Sequence, residues 1–144
     1  MELTRIDHIG IAVADLDAAI ERYTTAFGLA VVSIETNDDQ GAREAMLLPA
    51  TAGTASGIES YVQLFEPLGG DTPVGRFLAR RGEGLHHIGY AVDDIESALQ
   101  TLAAQGVQLI DTHPRPGARG TSIAFAHPRG LHGVLTELVQ AAGA

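Results

Sequence analysis

Apolar residues recur along this chain at two spacings, one typical of strands and one typical of helices. Segments with these spacings follow each other in the same order twice. In the first half an apolar run at 5–13 predicts a strand, and a stripe at helical spacing predicts the helix that follows it. Asp15 is placed to cap this helix and Gly28 to end it. Three further apolar or β-branched segments are predicted as strands, at 30–36, 42–48 and 58–66. The first half is therefore predicted to fold as βαβββ, with a flexible excursion over 49–57.

The second half repeats this order after a short helix predicted at 72–81. An apolar strand at 86–92 precedes a helix that Asp93 or Asp94 caps and Gly106 ends. Three strands then alternate with turn-rich loops, at 107–112, 122–126 and 134–140. We interpret the chain as a single domain, 1–144, in which a linker joins two repeats, with the linker at 72–82 and the repeats at 5–67 and 84–140.

Each repeat places one histidine at the start of its first strand. The stretch DHIGIAV carries His8, and HIGYAV begins at His87. A single strand histidine is more often a hydrogen-bonded core residue than a ligand, but repetition at the same point of two modules favours a shared site. Superposing the repeats also aligns Gln63 with Glu137. Two imidazoles, one amide oxygen and one carboxylate suit a divalent metal ion. The alternative for Gln63 and Glu137 is a water-facing position on an edge strand.

The charge of such a site indicates the class of substrate. A divalent ion with one carboxylate and three neutral ligands keeps one net positive charge and has room for further oxygen ligands. This predicts a chelating, anionic substrate on which the ion acts as a Lewis acid.

Composition excludes several other kinds of site. The 144 residues include no cysteine, and all nine basic residues are arginine. Thiolate metal sites, thiolate nucleophiles and Schiff-base lysines are therefore excluded. The net charge of −9 argues against nucleic-acid binding. Because no membrane span or signal peptide is recognisable, we expect a cytoplasmic protein with no membrane partner.

Five stretches together resemble the vicinal oxygen chelate superfamily, and within it the methylmalonyl-CoA epimerase family, over nearly the whole chain. They are DHIGIAV at 7–13, QGAREAML at 40–47, YVQLFEPL at 61–68, GEGLHHIGYAVDDI at 82–95 and HPRGLHGVLTELVQ at 127–140. The resemblance implies an α+β fold in which two tandem βαβββ modules form a curved mixed sheet around a central metal site. It places the metal ligands on the four positions that the repeat selects, His8, Gln63, His87 and Glu137. It also favours Co2+ over Mn2+, Ni2+, Zn2+ or Fe2+, an acyl-CoA substrate and a homodimer.

The resemblance implies a reaction as well. Glu44 corresponds to the family's catalytic carboxylate, which removes the C2 proton of (2S)-methylmalonyl-CoA. A metal-stabilised enolate follows, and a proton returned to the opposite face gives the (2R) epimer. Glu137, a bound water or a neighbouring side chain stays open as the second acid. As the base, Glu44 should lie in a dehydrated pocket that raises its pKa. From the residues alone, Glu44 beside Arg43 is more often half of a surface ion pair.

The remaining polar residues have simpler alternatives. Arg76, Arg80 and Arg81 are candidates for binding the phosphates of coenzyme A, with a solvated helix face as the alternative. His86 points to the opposite strand face from His87, which favours a structural or supporting role. Three other histidines are interpreted as turn residues, His113, His127 and His132.

The rival functions are other enzymes on the same scaffold and a binding protein. Glyoxalase-like isomerases have more carboxylates in the metal shell, so Gln63 argues against them. Ring-cleaving dioxygenases hold iron with two histidines and one glutamate, so a fourth ligand argues against that class. Drug-sequestering relatives bind ligands without metal, and the four retained ligands argue against this function.

Overall fold

Among the residues that the structure describes, the first half of the chain contains one α-helix and four strands in the predicted order. The computed structural model of the protein describes residues 1–50 and 59–143. The elements are β1 (Arg5–Ala12), α1 (Leu16–Phe27), β2 (Leu29–Asn37), β3 (Ala42–Pro49) and β4 (Tyr61–Pro67). Most of the predicted excursion, and the start of the strand predicted at 58–66, fall on 51–58 and lie outside the described residues.

The second half repeats this order after the linker helix. Its elements are α2 (Pro73–Arg81), β5 (Gly84–Ala91), α3 (Ile95–Ala104), β6 (Arg115–Pro116), β7 (Ser122–Ala126) and β8 (Thr136–Gln140). Both halves therefore have the order βαβββ, and their strands include antiparallel and parallel pairs. The predicted α+β class of two tandem modules with mixed strand pairing is confirmed. In the part of the chain that the structure describes, no helix is long and apolar enough to cross a membrane.

Packing divides the chain into two compact units, which we call the continuous unit, Ile9–His86, and the discontinuous unit, Met1–His8 with His87–Ala144. In the continuous unit β3 lies between β2 and β4, and both pairs are antiparallel. The carboxylate of Asp15 accepts the Ala18 N–H at 3.1 Å where α1 begins. The helix packs on the strands through an apolar core, Val13, Leu16, Ala45, Leu47 and Leu64.

The discontinuous unit places β1 beside β5 and β5 beside β8, so that the first strands of both repeats are neighbours. β5 and β8 are parallel, and β7 pairs antiparallel with the other side of β8. Asp94, not Asp93, caps α3, where its carboxylate accepts the Ser97 N–H at 3.0 Å. Gln105 is the C-cap of this helix, and Gly106 follows it with a φ of 82°. The core of this unit is Val92, Ile95, Ala98, Leu99, Ala124 and Leu138.

The strand predicted at 107–112 is wrong. Only an isolated bridge joins Leu109 to Ala126, and the two-residue strand β6 lies instead in the predicted loop at 113–120. The Asp111 carboxylate accepts the Phe125 N–H at 2.9 Å. This side-chain bond takes the place of a backbone hydrogen bond between strands. The Phe125 carbonyl in turn accepts both the Ile110 and the Asp111 N–H. Local side-chain bonds of this kind compete with regular pairing.

Candidate metal centre

Three buried donor groups converge within the discontinuous unit. The Nε2 atoms of His8 and His87 lie 2.9 Å apart. The Glu137 carboxylate approaches both rings, with Oε1 3.5 Å from Nε2 of His8 and Oε2 3.4 Å from Nε2 of His87. The three residues are 1%, 6% and 5% exposed, respectively. The structure therefore brings together three of the four ligand positions that the repeat predicts.

Strand pairing explains this convergence. Parallel β5 and β8 place Gly89 opposite Glu137, and His87 lies on the same face as Gly89, two residues earlier. Gly89 leaves room for the imidazole of His8, since a β-carbon at this position would lie 2.3 Å from the His8 Cε1. Gly89, in the second copy of the repeated His-Ile-Gly stretch, is therefore needed for close packing against His8 of the first copy.

Asp7 determines which nitrogen of His8 faces the other donors. The Asp7 Oδ2 lies 2.8 Å from Nδ1 of His8. Burial alone would raise the pKa of Asp7, but the hydrogen bond with His8 and the charges of Arg119 and Arg5 outweigh it and hold the pKa below its usual value. An ionised carboxylate only accepts hydrogen bonds, so Nδ1 carries the proton, which in a neutral ring leaves the lone pair on Nε2.

The donor set fits a divalent cation. Ligands about 2.1 Å from an ion lie roughly 3.0 Å apart at a right angle and about 3.4 Å apart at a tetrahedral angle. The three separations here, 2.9, 3.4 and 3.5 Å, fall close to this range. The His8 Nε2 lies 3.5 Å from the Glu137 carboxylate, and a positive ion between them would stabilise this arrangement. His8, His87 and Glu137 are thus chemically and geometrically suited to hold such an ion.

Glu44 and Gln63 form a second buried pair, within the continuous unit. The antiparallel register of β3 and β4 sets Met46 opposite Gln63 and Phe65 opposite Glu44, so all four residues lie on one face. Gln63 Nε2 donates to Glu44 Oε2 at 2.9 Å. Among the described residues, Gln63 Oε1 is buried without a hydrogen-bond partner. The amide therefore has an acceptor available for a further group.

The simpler alternatives for three of these residues are wrong. Gln63 and Glu137 do not face water, since each is only 5% exposed. Glu44 is not half of a surface ion pair with Arg43, because the carboxylate is buried. Arg43 pairs instead with Glu66 at 3.0 Å and with Asp17 at 3.2 Å.

The other histidines occupy packing and turn positions. The ring of His86 packs edge-on against Phe65 and Phe77, with centroids 5.1 and 4.7 Å away. Burial lowers the pKa of His86 to about 4, so its ring is neutral at physiological pH. His127 caps a short 3-10 helix by accepting the Arg129 N–H, and His132 ends that helix with a left-handed backbone.

The three arginines proposed for coenzyme A are exposed. Arg76 pairs with the Asp71 carboxylate at 3.1 Å, and Arg80 and Arg81 lie in the last turn of α2. Their role in phosphate binding stays a prediction.

Two buried or partly buried residues of the site escaped the sequence analysis. In the first repeat Asp7 precedes the repeated histidine, whereas His86 holds this position in the second repeat. This difference was the only signal for Asp7 in the sequence. Arg119 contacts Asp7 from a position 112 residues away, with Nη2 2.8 Å from Oδ2. No spacing in the sequence links these two residues.

The comparisons with known proteins all point to the same family. The model of the Glyoxalase/Bleomycin resistance protein/Dioxygenase superfamily matches residues 7–125. The ethylmalonyl-CoA/methylmalonyl-CoA epimerase of Cereibacter sphaeroides is 34% identical over 139 residues, which cover 94% of this chain and 97% of the relative.

Solved structures of similar proteins include ligand complexes. A methylmalonyl-CoA epimerase in complex with methylmalonyl-CoA and NH4+ superposes with a TM-score of 0.92 at 46% identity, covering 99% of this chain and 97% of the other. A variant of the Streptomyces coelicolor methylmalonyl-CoA epimerase, in complex with 2-nitronate-propionyl-CoA, has the same TM-score and identity and covers 99% and 98%. These relatives span nearly the full length of the chain.

Proposed function

Because this chain belongs to the Glyoxalase/Bleomycin resistance protein/Dioxygenase superfamily, we propose that it is a metal-dependent epimerase that interconverts (2R)- and (2S)-methylmalonyl-CoA. The observation that carries this proposal is the buried convergence of His8, His87 and Glu137 on one point. The named epimerases that resemble the whole chain support the choice of substrate. One net positive charge at such a centre suits the thioester and carboxylate oxygens of this substrate.

The metal would be held by the three converging donors, and we propose Gln63 as the fourth ligand. Its support is the buried Oε1 that has no hydrogen-bond partner among the described residues. When bound, a divalent ion supplies a Lewis acid that stabilises negative charge on a carbonyl oxygen, an effect worth several kcal/mol. The nitrogen and oxygen donors do not select one metal, and the family resemblance favours Co2+.

Glu44 is proposed as the base that removes the C2 proton. Its carboxylate is buried, and the bond from Gln63 to Oε2 fixes its orientation, which is what a proton acceptor needs for a defined approach. Proton removal leaves the enolate of the substrate, and a proton delivered to the opposite face inverts the C2 centre. We propose Glu137 or a water for this delivery. The nitronate complex of the Streptomyces coelicolor enzyme supports an enolate, because a nitronate is likewise a planar anion at the α-carbon.

Binding of the coenzyme is proposed at the exposed arginines of α2, namely Arg76, Arg80 and Arg81. Arginine forks match phosphate geometry and would offset the net charge of −9 locally. The resemblance also favours a homodimer, which sedimentation velocity would test.

Isotope exchange tests the proposed reaction directly. Protein loaded with Co2+ is incubated with (2S)-methylmalonyl-CoA in D2O, and deuterium at C2 is followed by mass spectrometry. We expect exchange in the loaded protein, loss of exchange after chelation and recovery on adding Co2+. Ethylmalonyl-CoA in a parallel reaction measures selectivity, since one relative is named for both substrates. Absence of exchange in metal-loaded protein would disprove the proposed function.

A further inference from the structure

The carboxylate of Asp7 joins the candidate metal centre to two arginines of the discontinuous unit. Its Oδ2 accepts hydrogen bonds from His8 Nδ1 and from Arg119 Nη2, each at 2.8 Å. Its Oδ1 accepts from Arg5 Nη2 at 3.1 Å. Asp7 is only 1% exposed. Because one oxygen serves both His8 and Arg119, the position of that oxygen depends directly on Arg119.

Arg119 reaches Asp7 from a backbone conformation that is unusual for arginine. Its φ is 59°, in the left-handed region that glycine adopts freely and residues with a β-carbon adopt at a cost. The loop around it is closed by the Gly117 N–H, which donates to the Thr121 carbonyl at 2.9 Å, and by the Thr121 hydroxyl, which donates to the Ala118 carbonyl at 2.7 Å. An unfavourable conformation persists where the surroundings fix it, and such positions cluster at functional sites. The unusual backbone conformation therefore points to a function for the Arg119 side chain.

We propose that Arg119 is a positioning residue of the metal centre and that it acts through Asp7 on His8. The inference rests on the proposed metal centre, not on the reaction. By holding Asp7 Oδ2 against Nδ1 of His8, Arg119 keeps the proton on Nδ1 and the Nε2 lone pair directed at His87 and Glu137. Arg5 contacts the other carboxylate oxygen, Oδ1.

Metal affinity tests this role without any substrate. Titration calorimetry compares Co2+ binding to wild-type protein, Arg119→Leu and Asp7→Ala. We expect each variant to bind about 10- to 100-fold more weakly, the usual effect of removing a group that orients a metal-binding histidine. Arg115→Leu is the matched control, because Arg115 precedes β7 as Arg119 does and pairs with Asp111 at 3.2 Å. It should keep the wild-type affinity. Unchanged affinity in Arg119→Leu would overturn the proposal.

A double variant separates action through Asp7 from an independent structural effect. Asp7→Ala/Arg119→Leu should bind Co2+ as weakly as Asp7→Ala alone, because Arg119 then has no carboxylate to hold. If Arg119→Leu weakens Co2+ binding in the Asp7→Ala protein as much as it does in the wild-type protein, Arg119 does not act through Asp7. Should Asp7→Ala not fold, Asp7→Asn takes its place in the cycle.

The ring nitrogens of His8 provide a spectroscopic test in the metal-free protein. Long-range 1H–15N correlation distinguishes a protonated Nδ1 from a protonated Nε2. We expect Nδ1 to be protonated in wild-type protein and the two tautomers to be mixed in Arg119→Leu, with Arg119→Lys between them. A His8 tautomer that is unchanged in Arg119→Leu would count against the proposal.

Wild-type protein that binds no Co2+ overturns both the metal centre and this inference, whereas Co2+ binding without isotope exchange overturns only the proposed reaction.

Discussion

At the level of single residues, two buried carboxylates, one in each unit, have different surroundings. Asp7 contacts two arginines and a histidine, and its lowered pKa keeps it an ionised acceptor. Glu44 is also buried, and its Oε2 accepts a hydrogen bond from a neutral amide, that of Gln63. A carboxylate fixed by cations suits a structural role, and one beside a neutral donor is better suited to take up a proton.

Glu44→Gln should separate metal binding from proton transfer. The amide keeps the size of the side chain but cannot accept the C2 proton, so we expect Co2+ affinity to stay within about 3-fold of wild type while exchange falls by about 100-fold or more. Titration calorimetry and the D2O assay measure the two effects. Glu21→Gln, an exposed change on α1, is the control and should keep both. Exchange at the wild-type rate in Glu44→Gln would mean that Glu44 is not the base.

His86 should make the stability of the metal-free protein depend on pH. Its pKa is about 4 in the folded protein and 6.5 without the fold, so the unfolded chain takes up this proton first. The stability that neutral His86 contributes is full above about pH 6.5 and is lost as the pH falls toward about 4. Between about pH 7.5 and about pH 5, the free energy of unfolding should fall by about 1–2 kcal/mol more in wild type than in His86→Phe. Urea unfolding at the two pH values measures this difference. An equal decrease in the free energy of unfolding in wild type and in His86→Phe would contradict the prediction.

At the level of elements, the site depends on how closely the first strands of the two repeats approach each other. β1 lies next to β5, and Gly89 on β5 faces the ring of His8 without a side chain between them. The parallel partner β8 then places Glu137 opposite this glycine. The three donors therefore lie on three strands, β1, β5 and β8.

Gly89→Ala should damage the site through packing alone. The added β-carbon would lie 2.3 Å from the His8 Cε1, so the ring or the strand must move. We expect a loss of about 1–3 kcal/mol in the free energy of unfolding, together with weaker Co2+ binding. Gly130→Ala is the matched control, because a β-carbon there meets nothing closer than 3.7 Å. Normal metal binding by Gly89→Ala would show that His8 does not need this space.

The elements also show what the sequence could and could not predict. Asp15 and Gly28 bound α1 as expected, because cap residues act locally and leave a local signal. The segment at 107–112 has the composition of a strand, yet Asp111 binds the Phe125 N–H with its side chain and interrupts the pairing. The repeated histidines identified the donors by symmetry. Arg119 had no counterpart in the first repeat, and its contact with Asp7 depends on a loop conformation that composition does not encode.

At the level of the whole molecule, a strongly anionic chain is proposed to bind an anionic substrate. The net charge is −9, so attraction must come from local positive charge at the ion and at exposed arginines. The ion would also be linked to folding, since its three converging donors come from distant parts of the sequence that only the folded chain brings together.

Co2+ should therefore stabilise the folded protein. At a free concentration of about 100 times the Kd, binding to the native state alone raises the free energy of unfolding by about 2.7 kcal/mol. Urea unfolding with and without Co2+ measures this shift. His87→Ala removes a donor and should abolish it, whereas His113→Ala, at an exposed turn, should retain it. Equal stabilisation of both variants would place the ion elsewhere.

The grouping of Met1–His8 with His87–Ala144 has a consequence for biosynthesis. His8 is synthesised before His87 and Glu137, so a nascent chain exposes one imidazole before its partners exist. The continuous unit, Ile9–His86, is synthesised during that interval, and all three donors can bind the cation only after Glu137 has been made. Metal loading would then report that synthesis of the chain has passed Glu137.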